Sequence, residues 1–358
     1  MKRINFMVLA ALACSWALLA APLPAQFVYV ANYNGANISA YSLNPKTGVL
    51  TAVPGSPFPT GTGPASLALH PSGRFLYVTN NDPDTVSGYS IDDKTGALTA
   101  VPNSPFPTGT LPEGVAVDPL GRFAYVANAN AATVSGYRID AKTGALTPVE
   151  GSPFPTGHNP TAIAVDPKAE FLYVVNENDN TVLADRIDQK TGALTKVTGS
   201  PFPTGSAPNA FMANPTGKFA YVTNFNDGTV SGYSIDRKTG ALTSLSGSPF
   251  ATGGEPTGLA IDPNGKFTYV TGANGNTVSG YSIDPLTGAL TPLPGSPFGA
   301  GSDPDSVAID PSAQFAYVAN GLDNTISAYI IDCDGYLLPV AGSPFPTGQF
   351  PADLAITK

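Results

Sequence analysis

The sequence has 358 residues, and its 26 Asp and Glu outnumber its 17 Lys and Arg, giving a formal net charge of −9. Nucleic acids and anionic membrane surfaces attract basic patches, so an acidic chain is expected to bind neither.

Residues 1–25 have the features of a secretory signal peptide. Lys2 and Arg3 precede an apolar run, residues 4–21, that contains no Asp or Glu. Prolines end this run before the small residue Ala25. The pattern predicts cleavage after Ala25 and export to the periplasm, the cell surface or the medium.

The cysteines leave one alternative open for this segment. Cys14 would be the lipidated residue of a lipoprotein, although Ala11-Leu12-Ala13 before it fits that pattern poorly. If the segment is removed, Cys333 remains alone and no intrachain disulfide can form. No run after residue 25 is long and apolar enough to predict a membrane-spanning segment.

One motif recurs along the rest of the chain. A clear copy is Phe-Leu-Tyr-Val-Thr-Asn at residues 75–80, and its tyrosine recurs at intervals of 48 residues. Seven copies at one period are typical of a repeat architecture. The asparagine recurs in nearly every copy, so we interpret it as a structural turn residue. The seven tyrosines are Tyr29, Tyr77, Tyr125, Tyr173, Tyr221, Tyr269 and Tyr317.

Each repeat contains four short strand patterns and no helical period. In the copy that starts at Ser66, these are residues 66–70, 74–79, 85–91 and 97–101, separated by turn sequences. Four such strands make one antiparallel blade, and seven blades around an axis make a β-propeller. The fold class predicted is therefore all-β, a seven-bladed propeller of four-stranded blades.

The two ends of the repeat region predict how the ring closes. The chain enters on a second strand, residues 27–30, and leaves on a lone first strand, residues 353–356. The last strand should join the first blade, which would leave no long exposed sheet edge. We therefore predict a single domain over residues 26–358 and expect a monomer.

Three strand motifs carry a family resemblance. Phe-x-Tyr-Val-x-Asn, Val-Ala-Val-Asp-Pro and Gly-Tyr-x-Ile-Asp resemble the YVTN-repeat propellers and the seven-bladed lactonase-like superfamily, which includes 6-phosphogluconolactonase and carboxymuconate cyclase relatives. The resemblance covers the whole of residues 26–358. It implies the fold more strongly than an activity, because the shared residues are those that build a blade.

The loops predicted at one end of the ring contain many carboxylates and no Lys or Arg. Ligand sites of propellers usually lie at this end, at the mouth of the central channel. Without a cation, a phosphorylated or carboxylated lactone would have no partner for its anion. A small neutral sugar or lactone remains compatible. The aligned residues expected to ring the mouth are Ala65, Glu113, Thr161, Asn209, Thr257, Asp305 and Ala352.

His158 is the candidate general base, with Glu113 and Asn209 as further candidate catalytic residues. Relatives that are active lactonases tend to carry a His-Pro-His-type motif near this place, where the present chain has His158-Asn159-Pro160. The alternative is that His158 is an ordinary polar loop residue.

A calcium site is a second candidate. Glu255, Asp303, Asp305 and Asp353 belong to three neighbouring blades, and a hard cation such as Ca²⁺ takes several carboxylate oxygens. No spacing matches a known calcium loop, and aspartate is also common in solvated turns.

Two functions remain open from the sequence. Near-uniform repeats and few catalytic residues favour a binding or scaffold module of the cell envelope or surface, with a partner there. The alternative is a lactone hydrolase with its site at the channel mouth. Convergence of His158, Glu113 and Asn209 on one pocket would favour the enzyme.

Overall fold

The structure is a computed structural model that describes residues 25–358. Within this range the chain forms seven five-stranded antiparallel sheets, arranged as the seven blades of a propeller. The seven-bladed all-β fold predicted from the tyrosine period is confirmed. The predicted signal peptide, including Cys14, lies outside the described residues apart from Ala25. Residues 25–358 contain no helix with the length and hydropathy needed to cross a membrane.

We number the blades by their tyrosines, from blade 1 with Tyr29 to blade 7 with Tyr317. The innermost strand of each blade lines the ring axis. Six of these strands begin with proline, and the strand of blade 2 contains Pro64. The innermost strands are Pro351–Ile356 in blade 1, then Thr62–Leu69, Pro112–Val117, Pro160–Val165, Pro208–Ala213, Pro256–Ile261 and Pro304–Ile309. The second strands are Gln26–Asn32, Phe75–Asp82, Phe123–Asn128, Phe171–Asn176, Phe219–Asn224, Phe267–Gly272 and Phe315–Asn320. The third strands are Asn37–Leu43, Thr85–Ile91, Thr133–Ile139, Thr181–Ile187, Thr229–Ile235, Thr277–Ile283 and Thr325–Ile331.

The outer edge of each blade differs from the single fourth strand that the sequence predicts. Two short strands, separated by a turn, pair with opposite halves of the third strand; in blade 1 Leu50–Ala52 pairs with Tyr41–Leu43 and Phe58–Pro59 with Asn37–Ile38. The outer strands of the other blades are Leu98–Ala100, Leu146–Pro148, Leu194–Lys196, Leu242–Ser244, Leu290–Pro292 and Leu337–Pro339. The two-residue strands that follow them are Phe106–Pro107, Phe154–Pro155, Phe202–Pro203, Phe250–Ala251, Phe298–Gly299 and Phe345–Pro346.

The recurring tyrosine joins each blade to the next. The Tyr77 hydroxyl donates to the Gly144 carbonyl at 2.8 Å, in the hairpin turn of the following blade. The same bond occurs in all seven blades, and Tyr317 donates to Gly48 at 2.8 Å across the closure of the ring. These rings are fully buried, so each bond satisfies a hydroxyl and a carbonyl that water cannot reach.

The recurring asparagine is structural, as predicted. Asn128 donates from Nδ2 to Thr133 Oγ1 and Ser135 Oγ, and its Oδ1 accepts from Thr108 Oγ1 and the Gly109 amide. Asn128 thus ties the end of the second strand to the third strand and to the loop that arrives from the preceding blade.

The ring closes as predicted. The last strand pairs antiparallel with the first, with Val30 opposite Leu354 and Val28 opposite Ile356. Both ends of the described chain therefore belong to blade 1, and the seven innermost strands surround one central channel.

Candidate functional site

A cavity of about 920 Å³ occupies the central channel, a size typical of small-molecule sites. Residues from all seven innermost strands line it. The ring predicted at the channel mouth is confirmed, since all seven of its members line the cavity: Ala65, Glu113, Thr161, Asn209, Thr257, Asp305 and Ala352.

A smaller cavity of about 360 Å³ lies on the outer side, between blades 7 and 1. Its lining includes Tyr41, Pro57 and Phe345 and no carboxylate, amine or imidazole. The Tyr41 hydroxyl is already engaged, since it donates to the Pro346 carbonyl at 2.7 Å. This cavity offers no group for acid–base chemistry, so the central cavity is the candidate site.

A left-handed residue precedes each innermost-strand proline and shapes the mouth. Blade 2 uses Gly63, with φ of 64°, whereas the other six blades use residues that carry side chains. Three of those, Leu111, Asn159 and Phe350, line the cavity. The loops thus keep one backbone path in every blade while presenting different side chains to the channel.

Asp305 is the carboxylate with the most unusual surroundings. It lines the cavity, and its Oδ2 is buried without a hydrogen-bond partner among the described residues. Burial, together with the negative charges of Asp303 and Asp353, raises the pKa of Asp305 to about 7. A carboxyl with such a pKa exchanges its proton near neutral pH, which suits a general base or acid.

Asp353, beside it, is held in place by hydrogen bonds. Its Oδ2 accepts from Ser66 Oγ at 3.1 Å and the Leu67 amide at 2.8 Å, both in blade 2. Its Oδ1 accepts from Ser306 Oγ in blade 7 and from the Leu354 amide, both at 2.8 Å. Burial raises the pKa of Asp353, and these donors oppose the rise. Asp353 therefore joins three blades at the point where the ring closes.

Two glutamates line the opposite side of the cavity. Glu113 Oε1 accepts from Asn81 Nδ2 at 3.0 Å, and Glu177 Oε2 accepts from Asn159 Nδ2 at 2.9 Å. Burial raises the pKa of both carboxyls, and the charge of Glu177 raises that of Glu113 further. The cavity therefore has acidic groups on both sides, and no Lys or Arg lines it.

The structure separates the three predicted catalytic residues. Glu113 and Asn209 line the cavity, whereas His158 does not. The His158 side chain is 79% exposed, and its Nδ1 lies 2.9 Å from Asp179 Oδ1. The backbone amide of His158 donates to the other oxygen of Asp179 at 2.8 Å. These two contacts hold the imidazole on the outer surface of its loop.

The structure does not place all four predicted calcium ligands at the cavity. Asp353 uses both oxygens in hydrogen bonds, two on each. Glu255 and Asp303 do not line the cavity, although Asp305 does. Within residues 25–358 no group of three or more acidic, His or Cys side chains is arranged to hold a metal. Ca²⁺ takes six to eight oxygen ligands, and the proposals below involve no metal.

A family model described as a seven-bladed β-propeller lactonase matches residues 49–158 and 151–253, together more than half of the chain. The chain belongs to the seven-bladed β-propeller lactonase family. The resemblance seen in the strand motifs is therefore confirmed. Membership favours the lactonase alternative over the surface module that the sequence placed first, and none of the comparisons concerns a scaffold role.

Solved structures share the fold of this lactonase-family chain. A candidate 6-phosphogluconolactonase from Bacteroides fragilis is 20% identical, with a TM-score of 0.83 over 95% of this chain and 99% of its own. The periplasmic gluconolactonase of Pseudomonas aeruginosa is also 20% identical, with a TM-score of 0.81 over 93% and 99%. Identities this low establish the fold alone. A search of curated proteins found no match.

Proposed function

We propose that the protein hydrolyses an uncharged lactone in the central cavity, with Asp305 activating the attacking water. The observation that carries the proposal is the placement of Asp305: a cavity-lining carboxyl with a pKa near 7 whose buried Oδ2 accepts no hydrogen bond from any described residue. Family membership supplies the reaction class.

The reaction needs one proton carrier. Ionised Asp305 takes a proton from water as the water oxygen bonds to the lactone carbonyl carbon. The tetrahedral intermediate collapses by breaking the bond to the ring oxygen, and Asp305 returns its proton to that oxygen. The product is an open-chain hydroxy acid, and Asp305 is again ionised. A pKa close to the working pH serves both proton transfers.

The charge of the cavity restricts the substrate. Glu113, Glu177, Asp305 and Asp353 line it without any cation, and a phosphate or carboxylate needs a basic partner when it leaves water. We therefore infer a neutral sugar lactone as the substrate class. The acidic cavity would also repel the hydroxy acid once it ionises, which assists product release.

The place and form of action are part of the proposal. The signal peptide pattern in residues 1–25 supports action outside the cytoplasm. One similar structure is a periplasmic enzyme. The site is built from one ring of blades, and a monomer therefore suffices for it.

The experiment compares hydrolysis of glucono-1,5-lactone by the wild type, Asp305→Asn and Asp82→Asn, after subtraction of the spontaneous rate. Asp82 is an exposed carboxylate of the same face that does not line the cavity, so its variant controls for loss of surface charge. We expect Asp305→Asn to lose at least 100-fold in kcat, within the range of general-base contributions, and Asp82→Asn to match the wild type. Background rates for the wild type, or equal rates for all three, would refute the proposal.

A further inference from the structure

Phe350 adopts a backbone conformation that its residue type disfavours. Its φ is 53°, in the left-handed region, where a bulky side chain costs conformational energy and glycine does not. The equivalent residue of blade 2 is Gly63. Two hydrogen bonds hold Phe350 in place: its amide donates to Asn324 Oδ1 and its carbonyl accepts from the Tyr33 amide, both at 2.8 Å. Five other blades also hold a residue with a side chain in this conformation, so the bulky aromatic ring is what distinguishes Phe350.

The aromatic ring of Phe350 lies at the mouth of the cavity beside Tyr33. Both residues line the cavity, and their ring centroids are 6.3 Å apart in an edge-to-face arrangement. Both belong to blade 1, next to the carboxylate of Asp305 in blade 7. This side of the mouth therefore combines an apolar aromatic surface with a proton acceptor.

Gly321 packs closely against both the Phe350 ring and the Asp305 carboxylate. A Cβ on residue 321 would lie 2.8 Å from Asp305 Oδ2 and 3.2 Å from Phe350 Cε2. The other six blades carry a side chain at the aligned position: Tyr33, Asn81, Ala129, Glu177, Phe225 and Ala273. A side chain on residue 321 would therefore collide with Asp305 Oδ2, and Gly321 allows Phe350 and Asp305 to pack around the same backbone position.

We propose that Tyr33 and Phe350 form an aromatic wall that binds the ring face of the substrate at the mouth of the cavity, beside Asp305, and that the site therefore takes a cyclic, hydroxyl-bearing lactone of the unphosphorylated sugar type. The C–H face of a sugar ring packs on aromatic surface. Its hydroxyls donate to acceptors such as Asp305 and Glu113. An open-chain ester presents no such flat face. This inference rests on the proposed function for its reaction.

The test uses Phe350→Gly, because glycine relieves the backbone conformation while it removes the ring. Ala207→Gly is the matched control: Ala207 occupies the same place in blade 5 with φ of 50° and does not line the cavity. Calorimetry measures binding of gluconolactam, a stable analogue of glucono-1,5-lactone, and steady-state assays measure KM and kcat for the lactone itself. Thermal unfolding reports whether each variant is folded.

We expect Phe350→Gly to unfold at or above the wild-type midpoint, to bind the lactam at least tenfold more weakly and to raise KM by a similar factor, with kcat changed less than threefold. Ala207→Gly should match the wild type in binding. Wild-type KM and lactam affinity in Phe350→Gly would overturn the aromatic wall and leave the hydrolase proposal standing. Lactam binding that depends on Phe350, without hydrolysis by the wild type, would support the wall and refute the hydrolase. Neither binding nor hydrolysis by the wild type would refute both.

Discussion

Replacement of Asp305 by asparagine is expected to stabilise the fold at pH 8 and to change its stability little at pH 4. The pKa of Asp305 is raised from 3.8 to about 7. The folded state therefore binds this proton more tightly than the unfolded state between those two values. Under that condition the free energy of unfolding falls as pH rises, and the loss is complete above pH 7. Asparagine carries no charge and avoids the loss.

The pKa difference sets the size of the effect. Each pKa unit is worth about 1.4 kcal/mol, so the full shift corresponds to about 4 kcal/mol. Asp305 is half-buried, and solvent screening reduces such energies. We therefore expect Asp305→Asn to raise the free energy of unfolding by about 2 kcal/mol at pH 8.

Urea unfolding of Asp305→Asn and the wild type at pH 4 and pH 8 measures this difference directly. Asp82→Asn serves as the control, because Asp82 is exposed, and its variant should give no pH-dependent gain. Titration of acids far from Asp305 is common to all three proteins and cancels, whereas Asp303 and Asp353 interact with Asp305 and their response belongs to the measured difference. If Asp305→Asn is no more stable than the wild type at pH 8, the assignment of a destabilised buried carboxylate is wrong.

Four further predictions follow from the same contacts. Asp303→Asn removes a negative charge that raises the pKa of Asp305, so the midpoint of the hydrolysis rate should move to lower pH; an unchanged rate profile between pH 5 and 8 would contradict this. His158→Ala should keep hydrolysis within twofold, since the side chain is exposed and outside the cavity; a large loss would restore His158 as the base. Tyr77→Phe leaves the Gly144 carbonyl without its donor and should destabilise the fold by about 1–2 kcal/mol in urea unfolding; no loss would show that the inter-blade bond contributes nothing. We expect no calcium binding, so added calcium should leave the thermal midpoint unchanged; a raised midpoint would contradict this, because a ligand that binds the folded state must raise it.

The sequence was sufficient for the fold because the blade pattern is local and repeated. The period of the motif tyrosine gives the number of blades, and the alternation of apolar residues gives the strands. The division of the outer strand was missed. Leu98 and Phe106 lie on either side of a turn, yet both of their strands pair with the same third strand, Thr85–Ile91, and the linear pattern alone does not specify that pairing.

The candidate site was predicted only in part, because its contacts join residues far apart in the chain. The ring of aligned positions gave Glu113, Asn209 and Asp305 correctly as residues of the channel. Asp353 looked like a free metal ligand because its donors Ser66 and Leu67 lie at the other end of the sequence and meet it only on ring closure.

The sequence also could not predict which way a side chain points or how deeply it is buried. His158 was chosen for its chemistry, but its bonds to Asp179 hold it outside the cavity. Phe350 and Gly321 gave a signal that was available: Phe350 is the only aromatic residue at its place in the seven repeats, and Gly321 is the only glycine at its place. Their meaning depends on how closely they pack with Asp305, which appears only in three dimensions.

The proposal of a lactonase that acts on neutral substrates is tested most directly by comparing two substrates. The measurement is kcat/KM for glucono-1,5-lactone and for its 6-phosphate, with the wild-type protein at one pH. The acidic cavity without Lys or Arg predicts hydrolysis of the neutral lactone above the spontaneous rate, and at least tenfold lower kcat/KM for the phosphate. A preference for the phosphate, or no acceleration of either lactone, would contradict the account.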